Sequence, residues 1–528
     1  MGVRSSRRRL PAFYPSVRQR PLARLATGIE RRVKRALFDC RMCGNCLLFD
    51  TAFTCPMSCP NGTRNGPCRG SSSDGCFVDP TSECTWLYIY QRAERRGNLE
   101  RLLEVNAPLD GRRVGCETWL TAYELWRSQH PRPRLRDLIT NRARPNAEWD
   151  AFWHKLRQPS WWQGDSQYHP PAYVQKISRL EAALGAHQFV VSAEVAPPME
   201  PTGDRIAQVA ASLKGYADTA NFTDNPLGVP RMSGLACAIH SLKNGLEPVL
   251  QIQTRHRSRH DFQAEALGAV AVGVRNILCL SDDIGRLGPG PRPRPELSDI
   301  DAVQALWILR RLRDEGIDVD GEPVEHRPRY FLGAAASPCA ALPKYEAIVT
   351  EKKINAGAQF LQTLPIFDRA RFLEWMEALD KRNLLGKVFL MPSVAPLKSP
   401  RHARFMANDV PGVTIPSSIM ARIEDAADPQ EEGIQIALDL IAELKDTGGI
   451  HGLHILCPGQ EEVVQRLVKE TGLRAFVPRA GAFSGNGRHK SGNGRGRSAS
   501  FNLSGSMDQS AFDLDYLSGK KPNRDWDI

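Results

Sequence analysis

Short apolar blocks alternate with longer amphipathic stretches throughout the second half of the chain. Eight such blocks cover residues 189–195, 218–223, 248–254, 276–282, 330–336, 358–363, 387–393 and 452–457. Short apolar runs are typical of buried parallel strands, and the amphipathic stretches are typical of the helices that connect them. Eight strands with seven helical connections predict a (β/α)8 barrel. An open dinucleotide-binding sheet fits less well, because no GxGxxG motif follows the first block.

The rest of the pattern predicts the domain organisation. The segments are a basic, flexible arm (1–36), a small cysteine-rich domain (37–92), a helical, tryptophan-rich linker (93–182), the barrel (183–478) and a Gly/Ser/Arg-rich tail (479–528). The tail composition cannot bury a core and predicts disorder. Six tryptophans lie between Trp119 and Trp162. We expect them to fill an interface between domains rather than to stack on single-stranded nucleic acid.

Charge is concentrated at the N-terminus. The net charge is +11, and residues 1–36 hold 11 Lys or Arg against one acid, Glu30. A basic arm can contact nucleic acid, an anionic membrane or an acidic protein, but a solvated extension is the simpler interpretation. No run of about 18 apolar residues is present to span a membrane. A cytoplasmic protein that does not bind nucleic acid is expected.

Eight of the 13 cysteines fall in one short segment. They are Cys40, Cys43, Cys46, Cys55, Cys59, Cys68, Cys76 and Cys84. Two-residue spacers let successive thiolates face one centre, and a proline follows Cys55 and Cys59 as it often follows iron–sulfur ligands. Zinc or an iron–sulfur cluster is therefore favoured over a disulfide framework. Eight thiolates permit two centres, or one centre with spare thiols.

Polar residues at the predicted strand ends are candidates for chemistry, because barrel active sites lie there. They are Glu194, Thr223, Asp224, Asn225, Gln251, Asp282, Asp283, Gln362 and Thr363, with Lys353 one helical turn before the sixth strand. Two acids in different surroundings can divide proton transfer and charge stabilisation between them. Helix capping is the alternative role, and it is favoured for Asp224 and Asp282. It is less favoured for Glu194, which two prolines follow closely.

The segment from about Phe189 to Leu473 resembles methylenetetrahydrofolate reductase, a flavin-dependent (β/α)8 barrel. The resemblance rests on SAEVAPP, DTANFTDNP, NILCLSDD, KKINAGAQFLQT and GIHGLHIL, in that order. The cysteine cluster, up to about Tyr90, is similar to the zinc- or iron–sulfur-binding domain found beside certain members of that family. Together these segments cover about two thirds of the chain.

The resemblance implies a reaction and residue roles. The methylene group bridging N5 and N10 of tetrahydrofolate is reduced to a methyl group by hydride transfer from a flavin, FAD or FMN. Glu194 corresponds to the general acid, and Asp283 to a residue between pterin and flavin. Thr223, Gln251 and Lys353 correspond to flavin contacts, and Glu346 to a ribose contact.

Partners and electron donor also follow from the resemblance. NAD(P)H or reduced ferredoxin is the expected donor, with folate as substrate, and an electron-transfer protein as a possible partner. An oligomer is expected. The cysteine domain is then a candidate module for electron entry or for docking.

Some positions depart from the family pattern. Leu364 stands where a substrate-binding Gln is common, so we assign folate contacts to Gln362 and Thr363. Gln251 stands where His is common, and Ser281 and Asp282 replace an Arg and a Gly. Exchanging a base for an acid near flavin phosphates weakens anion binding. A folate-binding methyl-transfer or demethylation component, or a noncatalytic electron-carrying subunit, therefore remains an alternative.

Overall fold

Eight parallel strands close into a barrel. The structure, a computed structural model, describes residues 21–68, 71–72, 75–76, 78–79, 81–114, 118–119, 161–223, 230–254, 257–281, 299–340 and 343–475. The strands are β1 (Val190–Val195), β2 (Thr219–Phe222), β3 (Glu247–Gln253), β4 (Asn276–Leu280), β5 (Phe331–Ala336), β6 (Phe360–Pro365), β7 (Phe389–Val394) and β8 (Gly452–Ile455). Each strand pairs with the next along the chain, and β8 also pairs with β1. The predicted (β/α)8 barrel is confirmed, and each predicted block overlaps one strand.

Helices connect the strands and flank the barrel. They are α1 (Pro21–Phe38), α2 (Thr85–Arg95), α3 (Arg179–Gly185), α4 (Asp204–Leu213), α5 (Gly234–Lys243), α6 (Arg259–Ala271), α7 (Ala302–Asp314), α8 (Pro343–Asn355), α9 (Arg369–Lys381), α10 (Pro400–Asp409), α11 (Ser417–Asp425), α12 (Pro429–Lys445) and α13 (Glu461–Glu470). Capping boxes at Ser258 and Asp301 begin α6 and α7. In the described part of the chain, no helix has the length and apolar character needed to cross a membrane.

The barrel interior changes from apolar to polar along its axis. On β1, side chains two apart share one face, so Val190, Ser192 and Glu194 point the same way. Val190 packs with Leu180 and Leu184 of α3 in an apolar cluster at the N-terminal end of the barrel. Ser192 lies above that cluster, and Glu194 lies at the C-terminal mouth. The strand sequence VVSAEV thus places one carboxylate where barrel enzymes place their chemistry.

The cysteine-rich region packs on helix α8 of the barrel. Trp86, Ile89 and Tyr90 of α2 form one apolar cluster with α8 residues, including Tyr345. The rings of Tyr90 and Tyr345 are 5.3 Å apart. At the edge of this contact, Lys344 donates to Glu94 Oε1 at 2.8 Å. We call residues 37–92 the cysteine module from here on.

Helix α1 differs from its sequence prediction. Residues 21–36 were assigned to a flexible arm, but they lie in the α-helix Pro21–Phe38. Glu30 and Lys34 are one helical turn apart and are only 1% and 3% exposed. The Glu30 carboxylate also accepts hydrogen bonds from the backbone N–H groups of Thr118 and Trp119, each at 3.0 Å. Partners more than 80 residues away therefore fix this helix.

The described end of the linker contacts the barrel through Trp162. Its indole Nε1 donates to the Val105 carbonyl at 2.8 Å, and its ring lies 6.5 Å from that of Trp307 on α7. The side chain is buried, as expected for a tryptophan at an interface. Residues Trp126, Trp149 and Trp153 lie outside the described residues.

Candidate active site

Glu194 is held at the barrel mouth by two side chains from other strands. Gln251 of β3 donates from Nε2 to Glu194 Oε2 at 2.9 Å. His454 of β8 places Nε2 3.3 Å from the same oxygen. The Glu194 side chain is 9% exposed, so its carboxyl group is mostly shielded from water but still reachable from the mouth. The arrangement presents one carboxyl group, with a fixed orientation, to the barrel opening.

A network of polar side chains lies beneath Glu194 and determines which nitrogen of the His454 ring can donate a hydrogen bond. The Ser192 hydroxyl donates to Asn221 Oδ1 at 2.7 Å, and Asn221 Nδ2 donates to Gln362 Oε1 at 2.6 Å. Because that hydroxyl has one proton, the contact of 3.3 Å between Ser192 Oγ and His454 Nδ1 requires a proton on Nδ1. In a neutral imidazole Nε2 is then an acceptor facing Glu194. A protonated Glu194 carboxyl group can therefore donate a hydrogen bond to His454 Nε2.

Several residues of this network were absent from the sequence prediction. Glu194, Gln251 and Gln362 were predicted from strand ends, and the structure brings all three into one connected set. Ser192, Asn221 and His454 were missed because they lie one step further inside their strands. Their signal in the sequence is a polar residue at an inward position of an otherwise apolar strand, as in GLHIL.

The remaining predicted flavin and folate contacts stand around this network. Lys353 of α8 donates from Nζ to the Ala335 carbonyl at 2.8 Å. Glu346 of the same helix accepts from the Ser337 backbone N–H at 3.0 Å. Thr363 accepts from the Ser393 backbone N–H at 2.9 Å, which ties β6 to β7. Thr223 follows β2 and is partly exposed. Predicted site residues Asp224, Asn225, Asp282 and Asp283 lie outside the described residues.

An open cavity lies beside strands β4 and β5. It has about 470 Å³ of space between atoms, including its opening to solvent. Its barrel side includes Ser281, Ala335 and Lys353, and its other side is the loop from Thr63 to Cys68. Lys353 supplies a cation, and Ser281 a hydroxyl group.

The cysteines of the module fall into two sets. Cys40, Cys43, Cys46 and Cys55 line one cavity, together with Lys34. Lys34 Nζ is 3.9 Å from Cys46 Sγ. A hydrogen bond from Cys55 lowers the pKa of Cys40 to about 7, whereas burial raises the pKa of Cys46. The first set therefore already contains a thiol that ionises readily.

The second set contains Cys59, Cys76 and Cys84, which interact electrostatically with one another. Burial raises the pKa of Cys59, and it raises that of Cys84 to about 11. Cys68 lines the cavity beside β4 and β5 instead. None of the 12 cysteines that the structure describes forms a disulfide. Among the described residues, no three His, Cys, Asp or Glu side chains already stand close enough to hold one metal ion.

These features define a (β/α)8 barrel with ionisable groups gathered at the mouth, which is the architecture of a large class of enzymes. Residues 179–472, more than half of the chain, match the family model described as methylenetetrahydrofolate reductase. Residues 21–112 match a second model, described as methylene-tetrahydrofolate reductase C terminal. The chain belongs to the methylenetetrahydrofolate reductase family. The resemblance of both segments is thereby confirmed.

Three solved structures with distant similarity are matched over nearly all of their own length. An uncharacterized protein from Clostridium thermocellum, described as binding two copies of 5-methyl-5,6,7,8-tetrahydrofolic acid, is 14% identical over 56% of this chain and 98% of its own, with a TM-score of 0.40. A riboflavin lyase with modified FMN and riboflavin is 12% identical over 56% and 94%, with a TM-score of 0.34. EDTA monooxygenase from Chelativorans sp. BNC1 is 11% identical over 56% and 97%, with a TM-score of 0.33.

Proposed function

We propose that this protein reduces 5,10-methylenetetrahydrofolate to 5-methyltetrahydrofolate. The family assignment supports folate chemistry, and the observation that carries the reaction is the held carboxyl group of Glu194. Opening the five-membered ring of the substrate needs a proton at N10, since the bond between N10 and the bridging carbon must break. A mostly buried carboxyl group at the mouth is suited to deliver that proton.

Residues around Glu194 support its role as general acid. Glu194 donates its proton to N10, and the released bond leaves an iminium between N5 and the bridging carbon. The Gln251 N–H group then stabilises the new carboxylate through the contact of 2.9 Å. The next proton must come from solvent at the mouth, and His454 Nε2, 3.3 Å away, can accept that proton and pass it to Glu194. A reduced flavin, when bound, supplies the hydride that completes the methyl group.

The cavity beside β4 and β5 fits an anionic cofactor. Lys353 Nζ lines it, and the hydroxyl of Ser281 and the amide of Asn65 add hydrogen-bonding groups. A phosphate is bound well by an ammonium together with neutral donors. We assign Thr223, Gln251, Glu346, Lys353 and Asp283 to the flavin, FAD or FMN, and Gln362 and Thr363 to the folate.

The cysteine module is proposed to carry metal centres and to serve electron entry or docking. Cys40, Cys43, Cys46 and Cys55 line one cavity, and a four-thiolate zinc or four-iron centre there would draw their sulfur atoms closer together than they now stand. Cys59, Cys68, Cys76 and Cys84 are assigned to a second centre. NAD(P)H or a reduced ferredoxin-type protein is the proposed electron source.

The substitution Glu194→Gln tests the proposal. The amide keeps the shape of the side chain but has no acidic proton, so we expect methylenetetrahydrofolate reduction to fall by about 10²–10⁴-fold. Bleaching of the flavin by its electron donor should continue at the wild-type rate, because that step does not use the carboxyl group. Anaerobic stopped-flow absorbance separates the two half-reactions.

Glu374→Gln, an exposed glutamate on α9, is the matched control and should leave both half-reactions unchanged. Wild-type folate turnover in Glu194→Gln would rule out the assigned role. A purified protein with no bound flavin and no affinity for flavin would rule out the reductase proposal as a whole.

A further inference from the structure

Two domains form the walls of the cavity beside β4 and β5. Ser281 and Lys353 belong to the barrel, and Asn65, Pro67 and Cys68 belong to the cysteine module. The module loop lies on the barrel side that carries helices α7 and α8, next to the C-terminal ends of two strands. A barrel without the module has only one of these walls.

Hydrogen bonds fasten the module loop to the start of α7. Asn65 Nδ2 donates to Asp301 Oδ2 at 3.0 Å, and the Arg64 backbone N–H donates to the same oxygen at 3.2 Å. Asn65 Oδ1 accepts from the Asn106 backbone N–H at 2.7 Å. Asp301 is itself fixed, because its other carboxylate oxygen caps α7 through Gln304 N at 2.9 Å. Two residues therefore hold the Asn65 side chain, Asp301 at the start of α7 and Asn106 of the linker.

The cavity is lined by one cation, Lys353, as well as by the carboxylate of Asp301. That carboxylate is already satisfied by backbone and amide donors, and the buried ammonium of Lys352 lies near enough to interact with it. Lys353 lines the cavity itself, and its Nζ donates to the Ala335 carbonyl. The cavity thus combines a cation with hydroxyl and amide groups, the set that binds a phosphate next to a polyhydroxyl chain.

We propose that the cysteine module completes the flavin site, with the loop from Asn65 to Cys68 as the outer wall around the ribityl phosphate. The inference rests on the proposed function, since it assigns the occupant of the cavity as the flavin. Lys353 contacts the phosphate, and Asn65 is a positioning residue that holds the wall in place. This arrangement also sets Cys68 at the edge of the cofactor.

Two variants of the whole chain test whether the loop from Asn65 to Cys68 forms the outer wall of the flavin site. Asn65→Ala removes the side-chain hydrogen bonds from Asn65 to Asp301 and Asn106, and we expect the Kd for FMN or FAD to rise at least tenfold. Pro67→Trp adds bulk at a lining position and removes no backbone donor, so we expect a similar loss of affinity with the fold intact. Titration of flavin-free protein, followed by quenching of flavin fluorescence, gives Kd, and circular dichroism checks folding.

Asn244→Ala is the matched control, because Asn244 makes its one side-chain bond at the opposite end of the barrel, to the His240 carbonyl at 2.8 Å. Its Kd should equal that of the wild type. Lys353→Met should weaken binding of FMN but leave binding of riboflavin, which has no phosphate, unchanged. If wild-type protein binds flavin and both loop variants keep its Kd, the wall is refuted and the reductase proposal stands. If the wild-type protein binds no flavin, both fall together.

Discussion

At the residue scale, Lys352 is a buried cation at the junction of the barrel and the cysteine module. Its side chain is among the largest that are fully buried. Burial lowers its pKa to about 8 from an ordinary 10.5, although the carboxylates of Asp301, Glu104 and Asp50 oppose the shift. The surroundings of Lys352 therefore disfavour its charged ammonium form relative to water.

This shift predicts an increase in stability with pH. The unfolded chain keeps the Lys352 proton up to pH 10.5, whereas the folded chain loses it above about pH 8. Between these values the unfolded state binds more protons, so the free energy of unfolding rises with pH, by on the order of 3 kcal/mol across the window. Urea unfolding of wild-type protein and Lys352→Met at pH 7.5, 8.5 and 9.5 measures the effect.

We expect the free energy of unfolding of the wild-type protein, minus that of Lys352→Met, to increase steadily from pH 7.5 to pH 9.5. Lys381→Met, which changes an exposed lysine on α9, should show a constant difference. If the difference in the free energy of unfolding between wild-type protein and Lys352→Met stayed constant with pH, the lowered pKa of Lys352 would be contradicted.

The candidate site shows which residues can be predicted from sequence alone. Glu194 and Gln251 were predicted because a polar residue at the end of an apolar run stands out in any barrel. His454 was quoted only as part of a motif, because its role depends on the contact of 3.3 Å with a residue 260 positions earlier. That contact joins β1 to β8, and no pattern within one strand contains it.

At the element scale, the eight strands were predictable and helix α1 was not. The strands are mostly buried, so most of their residues are apolar for a local reason. Helix α1 contains many arginines, and its fixed position depends on Glu30 and Lys34, whose contacts lie at Thr118 and Cys46. An Arg-rich segment with one acid has the composition of a solvated arm until those distant partners are known.

Two helical glycines predict opposite effects of the same substitution. A Cβ atom on Gly433 of α12 would lie 1.7 Å from the Leu397 carbonyl oxygen, whereas Gly268 of α6 has no atom within 4 Å of that position. We expect Gly433→Ala to destabilise the fold by about 1–3 kcal/mol through overpacking. Gly268→Ala should stabilise it by about 0.5–1 kcal/mol, because alanine costs less backbone entropy in a helix. Thermal or urea unfolding measures both, and equal effects would contradict the packing of α12.

At the scale of the whole molecule, the division of the cysteines predicts two separable metal centres. Cys46→Ser should remove about half of the bound iron or zinc, and Cys84→Ser the other half, since each belongs to a different set. Elemental analysis of protein purified without oxygen measures the loss and identifies the metal. Cys237→Ala, in the barrel, should leave the metal content unchanged. Loss of all metal from either single variant would instead indicate one shared centre.

Closure of the barrel between β8 and β1 has a consequence for synthesis of the chain. Gly452 pairs with Val190, so the last strand must cross back to the first after about 260 residues. A ribosome releases the cysteine module and seven strands before β8 appears. During that interval β1 and β7 present unpaired edges, which are prone to pair with other chains. The nascent chain is therefore most exposed to aggregation just before its final strand is made, and a chaperone that covers these edges would act at that stage.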